Sequence, residues 1–154
     1  MLIFLDIDGV MVPAKSWERP ELLNDGFPAF SLKAVRVLQS LITDDTTVVL
    51  TTSHKTRFAI EEWKDIFEKR GLKVDKLKSL ADNTNMLSRK DEVLNWFNLN
   101  TTNEEFVIID DDKSLNDLPD FLKGNLILTS PMIGLTDSHL DEIKVALSRK
   151  LLIG

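Results

Sequence analysis

The sequence predicts an α/β fold in which a parallel β-sheet lies between two layers of helices. Short apolar runs, typical of buried strands, alternate along the chain with longer segments whose apolar residues recur at helical spacing. Because parallel strands need crossover connections, which are usually helices, this alternation favours a three-layer parallel sheet with helices on both faces. Acidic side chains end two of the apolar runs, and open parallel sheets bind their ligands at such strand ends.

The first part of the chain predicts one strand–helix–strand unit. The first strand begins with the first residue and ends before Asp6, and the connector over 10–30 contains three prolines and one glycine. Because these residues interrupt helices and strands, we expect an irregular flap there. Ser31 is predicted to cap a helix, and the β-branched run 46–50 is predicted to be the second strand. The helix between them has apolar residues at helical spacing: Ala34, Val37, Leu38 and Leu41.

The rest of the chain continues the alternation in a Rossmann-like pattern. Residues 55–70 predict a helix that ends at Gly71, and residues 72–80 predict a weak third strand whose alternating lysines also fit an exposed edge or a loop. A helix, a strand over 106–109, a loop or short helix to about Lys123, a strand over 126–128 and a last helix follow. The apolar faces of these three helices are Ala59, Trp63, Ile66 and Phe67; Val93, Trp96 and Phe97; and Leu140, Ile143, Leu147 and Leu151.

Length and composition fit one globular domain. The chain has 154 residues, of which 43% are hydrophobic and 29% charged, so we expect a single domain over 1–154 that includes the flap at 10–30. A net charge of -6 argues against a general nucleic-acid binder, and the lack of cysteine suits a reducing cytoplasm. No segment has the length of a membrane span and the first residues lack the features of a signal peptide, so a cytoplasmic location is expected.

Two acidic clusters stand at predicted strand ends. Asp6 and Asp8 end the first strand, and Asp110 and Asp111 end the strand over 106–109. Like charges this close repel one another unless a cation neutralises them or some of them hold protons. Since carboxylate oxygens suit a hard divalent ion, the sequence predicts a metal site for magnesium, Mg2+.

Asp6 and Asp8 also have the spacing of a catalytic pair. Residues two apart in an extended segment point to the same side, and Gly9 permits a sharp turn beside them. Such a pair supports phosphoryl transfer in which one carboxylate attacks phosphorus while the other protonates the leaving oxygen and then activates water. Thr51 at the end of the second strand and Lys90 at the start of a helix supply a hydroxyl and a cation.

These motifs resemble those of the haloacid dehalogenase (HAD) superfamily of phosphohydrolases and occur in the order found there. The first motif of that family, Asp-x-Asp-Gly-[Thr/Val], matches the segment that begins at Asp6. Thr51 matches the Ser or Thr that ends the second strand, and Lys90 matches the Lys or Arg before the last core strands. Asp110 and Asp111 match the acidic pair. The resemblance covers nearly the whole chain and implies a HAD-like fold.

The resemblance implies a magnesium-dependent phosphomonoester hydrolase that works through an aspartyl-phosphate intermediate. Asp6 would be the nucleophile and Asp8 the general acid and base. A dehalogenase has no leaving alkoxide to protonate, so an acid at position 8 favours phosphate chemistry over dehalogenation. Thr51, or Thr52 in its place, and Lys90 would grip the phosphoryl group. The Mg2+ ligands would be the Asp6 carboxylate, the Asp8 backbone carbonyl and either Asp110 or Asp111.

The small flap resembles that of capless family members, which tend to accept bulky substrates or to borrow a lid from a partner subunit. The resemblance therefore implies a phosphorylated substrate such as a nucleotide or a nucleic-acid end, and it allows a protein partner or a homodimer. His54, Lys55 and Arg57 follow the second strand, where they would contact substrate or form a solvated first helical turn. Two alternatives stay open: a catalytically silent module that binds a phosphorylated ligand or a protein, and a phosphatase subunit that needs a partner.

Overall fold

Five parallel strands form one sheet in the computed structural model, which describes residues 1–15 and 17–153, with side chains in the last helix described as far as Leu147. The strands are β1 (Leu2–Leu5), β2 (Thr47–Leu50), β3 (Lys76–Ser79), β4 (Phe106–Asp110) and β5 (Leu126–Leu128). They lie in the order β3-β2-β1-β4-β5, and each neighbouring pair is parallel.

Helices cover both faces of this sheet, so the prediction of a three-layer α/β fold is confirmed. The helices are α1 (Leu32–Leu41), α2 (Ile60–Lys69), α3 (Arg89–Leu99), the short α4 (Asp120–Lys123) and α5 (Asp137–Ile153), with a 3-10 turn over Lys113–Asp117. Apolar residues of α1, α2 and α5 pack on one face of the sheet, and those of α3 and α4 pack on the other. The side chain of Leu151, predicted on the apolar face of the last helix, lies outside the described part. None of the described helices is long and apolar enough to cross a membrane.

The register of the central strands determines where the acidic motifs meet. Leu5 at the end of β1 lies opposite Leu50 of β2 on one side and Ile109 of β4 on the other. The residues that follow, Asp6, Thr51 and Asp110, therefore reach the same edge of the sheet together. The chain adds β2 and β3 on one side of β1 and then β4 and β5 on the other, and the crevice at such a reversal is where open α/β sheets bind ligands.

Two predicted elements have different bounds from those expected. The helix predicted over 55–70 begins only at Ile60, because residues 52–58 form a succession of turns and the Ala59 amide donates to Glu62 Oε1 at 3.0 Å at the new start. The uncertain third strand is an edge strand: Leu77 is buried, whereas the lysines on either side of it are exposed. Ser31 caps α1 as predicted, since its Oγ accepts from the Ala34 amide at 3.4 Å.

The flap is irregular as predicted, but one contact ties it firmly to the domain. Arg70, at the end of α2, donates to both carboxylate oxygens of Asp25, at 2.7 and 3.0 Å. The same guanidinium donates to the backbone carbonyls of Phe27 and Pro28, each at 2.9 Å. Phe27 is thereby placed in the core, where its ring meets that of Trp63 edge to face at 5.4 Å.

Candidate active site

Asp6 lies at the centre of the site, immediately after β1. Its carboxyl is almost fully buried, and Oδ1 lies 3.6 Å from a guanidinium nitrogen of Arg89. One oxygen from each of Asp6, Asp110 and Asp111 lies within 4.8 Å of the others. Asp6 of the first acidic motif and Asp110 and Asp111 of the second, which are far apart in sequence, therefore form one cluster in the structure.

Asp110 is the most fully bonded member of this cluster. Its Oδ1 accepts from the amides of Asp111 and Asp112, at 2.8 and 3.1 Å. Its Oδ2 accepts from Thr51 Oγ1 at 3.0 Å and from Arg89 at 2.6 Å. Since a carboxylate can accept about four hydrogen bonds, these four donors occupy all of its acceptor positions.

Asp111 is only half-buried and lies against Gly9. A Cβ atom added at Gly9 would lie 2.0 Å from Asp111 Oδ2, so a larger residue would displace this carboxylate. Gly9 also has a φ of +80°, a conformation that disfavours other residues. The glycine of the first motif thus serves both the turn after Asp8 and the close approach of Asp111.

The site carries more negative charge than its own cations balance. Burial, together with the charge of Asp110, raises the pKa of Asp6 to about 9, and Arg89 offsets only part of this effect. Burial also raises the pKa of Asp111. Burial alone would lower the pKa of Arg89, but the charges of Asp110 and Asp6 outweigh that effect and raise it. A positive ion would relieve this repulsion, and an all-oxygen set of carboxylates is the donor set that a hard divalent cation prefers.

Arg89, the residue before Lys90, is the cation that lies within the carboxylate cluster. The guanidinium reaches Asp110, Thr51 and Asp6, whereas the Lys90 ammonium makes no ion pair within the described part of the chain. That Lys90 grips a phosphoryl group stays a prediction. Ser88 caps α3 through the Asp91 amide at 3.1 Å, and this start of the helix directs its first residue into the site.

The two hydroxyls at the end of β2 have different partners. Thr51 is completely buried and donates to Asp110, while Thr52 Oγ1 accepts from the His54 amide at 3.2 Å within the following turn. Thr51 therefore belongs to the acidic cluster and Thr52 to the loop. That Thr51 grips a phosphoryl group stays a prediction.

The three residues expected to contact substrate lie in three different environments. His54 Nε2 lies 2.8 Å from Asp8 Oδ2, so this residue is at the site. Lys55 is buried and its ammonium lies 2.8 Å from Glu92 Oε2, so the expectation that it contacts substrate is corrected. Arg57 is exposed, with its guanidinium 5.2 Å from the centre of the Phe58 ring, and a role in substrate contact stays a prediction.

Sequence reasoning missed Arg89 and Glu92 as parts of the site. Glu92 Oε1 lies 3.7 Å from Arg89 Nε, and its other oxygen is paired with Lys55, so it joins the two cations. The spacing of three residues in a helix, with Arg89 and Glu92 on one face, was the available signal. Nothing in the sequence indicated that Lys55 would turn inward to meet them.

The comparison with known families agrees with this geometry. Residues 2–140 match the family described as the HAD domain in Swiss Army Knife RNA repair proteins. The match extends from β1 to the first turn of α5 and includes every residue of the site described above. Neither the curated proteins nor the solved structures contain a significant match.

Proposed function

Because the chain belongs to the family of HAD domains in Swiss Army Knife RNA repair proteins, we propose that it is a magnesium-dependent phosphomonoester hydrolase that removes phosphate from an RNA end. One observation carries the proposal: the buried Asp6 faces Arg89 within the carboxylate cluster, and Asp8, two residues later, is exposed at the same edge. A nucleophile held in a charged cluster beside an accessible acid suits phosphoryl transfer.

The proposed reaction has two steps that share Asp6 and Asp8. In the first, an Asp6 oxygen attacks phosphorus, the bond from phosphorus to the ester oxygen breaks, and Asp8 gives its proton to that oxygen. In the second, Asp8 takes a proton from water, the water oxygen attacks phosphorus, and the bond from phosphorus to Asp6 breaks. Inorganic phosphate leaves, and both carboxyl groups return to their starting states.

The donor set indicates which residues would hold the cation. Asp110 already accepts four hydrogen bonds, so Asp6 and Asp111 are the carboxylates with oxygens to offer, with the Asp8 backbone carbonyl as a third ligand. A bound Mg2+ would neutralise Asp6 and the charge on the transferring phosphoryl group. Arg89 would hold Asp110 and face the same group. Thr51 keeps Asp110 in place through its hydroxyl.

An RNA end as substrate is supported by the family description and by the openness of the leaving-group side. The Asp8 side chain is 54% exposed and the flap is tied back to α2, so a large leaving group has room beside the acid. The net charge of -6 disfavours tight binding along a nucleic-acid backbone, so recognition is proposed at the terminal phosphate.

The test is phosphate release from oligoribonucleotides phosphorylated at the 3′ or the 5′ end and from the matching deoxyribonucleotides, with Mg2+ or with EDTA. We expect turnover that requires Mg2+, favours an RNA end and is lost in Asp6→Asn. Asp44→Asn, an exposed carboxylate in the turn after α1, is the matched control and keeps full activity. Turnover that survives in Asp6→Asn, or no turnover by the wild type on any substrate, would refute the proposal.

A further inference from the structure

The exposed acid of the site is held by a histidine from another strand end. Asp8 follows β1, His54 follows β2, and His54 Nε2 lies 2.8 Å from Asp8 Oδ2. The Asp8 side chain is 54% exposed, so without such a partner its carboxyl would be free to rotate in solvent. A general acid that rotates freely spends little time aimed at the leaving oxygen.

His54 is itself fixed on both its backbone and its ring. Its amide donates to Thr52 Oγ1 at 3.2 Å, and its carbonyl accepts from the Arg57 amide at 2.8 Å. The imidazole meets the Phe27 ring edge to face, with 6.0 Å between ring centres and an angle of 90° between the planes. The imidazole that meets Asp8 therefore also packs against a buried ring of the core.

Phe27 belongs to the flap, and its position is determined by the contact between the flap and α2. It is 1% exposed, its amide donates to Asp25 Oδ1 at 3.0 Å, and its carbonyl accepts from Arg70 at 2.9 Å. Trp63 packs against its ring from the core side. A continuous series of contacts thus runs from α2 through Phe27 of the flap to His54 and from there to the carboxyl of Asp8.

We infer that His54 is a positioning residue for Asp8. Its Nε2–H donates a hydrogen bond to Asp8 Oδ2, so that Asp8 Oδ1 carries the catalytic proton. Oδ1 then gives its proton to the leaving oxygen in the first step and takes one from water in the second. The inference rests on the proposed function, because it assigns His54 to the acid and base of that reaction. It replaces the expectation that His54 contacts substrate directly.

The inference predicts an effect that depends on the leaving group. p-Nitrophenolate leaves phosphorus without needing a proton, whereas the ribose oxygen of an RNA end must be protonated as it leaves. Asp8 also acts in the second step, which is the same for both esters, so the comparison uses kcat/KM, which reports the first step. Misplacing Asp8 should therefore lower kcat/KM far more on the RNA than on the p-nitrophenyl ester. A merely structural role for His54 would slow both reactions alike.

The experiment compares His54→Ala and His54→Gln with wild type on p-nitrophenyl phosphate and on a 3′-phosphorylated oligoribonucleotide. Since acid and base catalysis contributes roughly 10²- to 10⁴-fold, we expect His54→Ala to lose at least about tenfold in kcat/KM on the RNA and less than about threefold in kcat/KM on the nitrophenyl ester. His54→Gln retains a donor at a similar reach and should recover most of the loss. His139→Ala removes the chain's other histidine, which bonds only within its own helix start, and should leave both rates unchanged.

A second readout does not depend on turnover. The chain has two histidines, so nitrogen NMR of the imidazoles should resolve His54, with the proton on Nε2 and a shift of that signal in Asp8→Ala. Equal losses on both esters, a rise in KM alone, or no rescue by His54→Gln would overturn the inference. Wild-type inactivity would refute the proposed function and the catalytic role together, while the imidazole spectrum would still report whether the contact forms.

Discussion

Two arginines with little exposed surface meet carboxylates at almost the same distance, but with opposite consequences. Arg70 lies 2.7 Å from Asp25, and Arg89 lies 2.6 Å from Asp110. The hydrogen bonds from Arg70 lower the pKa of Asp25 to about 2, so that pair is charged and balanced. Around Arg89, burial and the charge of Asp110 raise the pKa of Asp6 to about 9.

The difference comes from the number of carboxylates that each arginine faces. Arg70 has one acidic partner and otherwise donates to backbone carbonyls, so its charge is matched and its donors are used. Arg89 faces Asp110 and Asp6, with Asp111 beside them. A matched pair stabilises a fold, whereas the repulsion within an unmatched cluster is relieved only when a carboxylate takes up a proton or another cation binds. The balance of charge thus distinguishes the structural pair of Arg70 and Asp25 from the pair of Arg89 and Asp110 at the site.

The largest expected effect is on catalysis and tests which cation serves the site. Arg89→Met should lower kcat/KM on the preferred ester by roughly 10²- to 10³-fold, because it removes the cation that faces Asp6, the proposed nucleophile. Lys90→Met, one residue away on the same helix, should stay within about twofold of wild type because its ammonium makes no ion pair among the described residues. Steady-state kinetics on both variants makes the comparison, and a larger loss in Lys90→Met would support the assignment made from the sequence.

The neighbouring residues Arg89 and Lys90 at the start of α3 show what sequence patterns resolve and what they do not. The strand ends and the acidic motifs were predictable, because apolar runs and the spacing after Asp6 fix which side chains reach the sheet edge. The choice between Arg89 and Lys90 depends on the helix start at Ser88, and a shift of one residue turns a side chain by about 100°. The spacing of apolar residues does not fix the first residue of a helix, so it cannot decide which of the two side chains enters the site.

Contacts between distant segments were also beyond prediction. Lys55 was expected to contact substrate or to lie in a solvated helical turn, yet it is buried against Glu92 of α3. Arg70 was predicted only as the last residue of the helix over 55–70, yet it anchors the flap through Asp25. Each outcome depends on which loop packs on which helix, and neither local propensity nor spacing carries that information.

The second expected effect is a loss of stability when a substitution breaks the matched pair of Arg70 and Asp25. Asp25→Asn leaves the Arg70 guanidinium, which is 2% exposed, without its counter-charge, so we expect a loss of about 3 kcal/mol in the free energy of unfolding. Urea denaturation measures this loss. Asp65→Asn, an exposed carboxylate on the same side of α2, is the control and should change stability by less than about 0.5 kcal/mol. Equal stabilities of the two variants would show that the flap is not held by this pair.

The third expected effect concerns relief of the unmatched cluster by a cation. Mg2+ at about 100 times its dissociation constant should raise the free energy of unfolding by about 2.7 kcal/mol, as any ligand of the folded state does. Asp111→Asn should abolish that increase, because Asp111 and Asp6 are the proposed carboxylate ligands. Asp110→Asn should instead destabilise the metal-free protein, since Asp110 accepts four hydrogen bonds. Thermal unfolding with and without Mg2+ distinguishes the two, and the reverse pattern would make Asp110 the ligand.

The last expected effect is a change of stability with pH, with a slope of at most about 1.4 kcal/mol per pH unit for one proton. It measures the difference between Asp6 and Asp25 most directly. In EDTA, the folded protein keeps a proton on Asp6 up to a pH of about 9, whereas the unfolded chain loses it near 3.8, so stability from this group declines as pH rises between those values. Asp25 behaves oppositely: its pKa of about 2 means that its contribution is complete above 3.8 and is lost as pH falls toward 2. Asp6→Asn should therefore flatten the neutral and alkaline part of the stability profile, and Asp25→Asn only the acidic part. If Asp6→Asn left the profile between pH 5 and 8 unchanged, the nucleophile would already be ionised without a metal, and the cluster would be balanced after all.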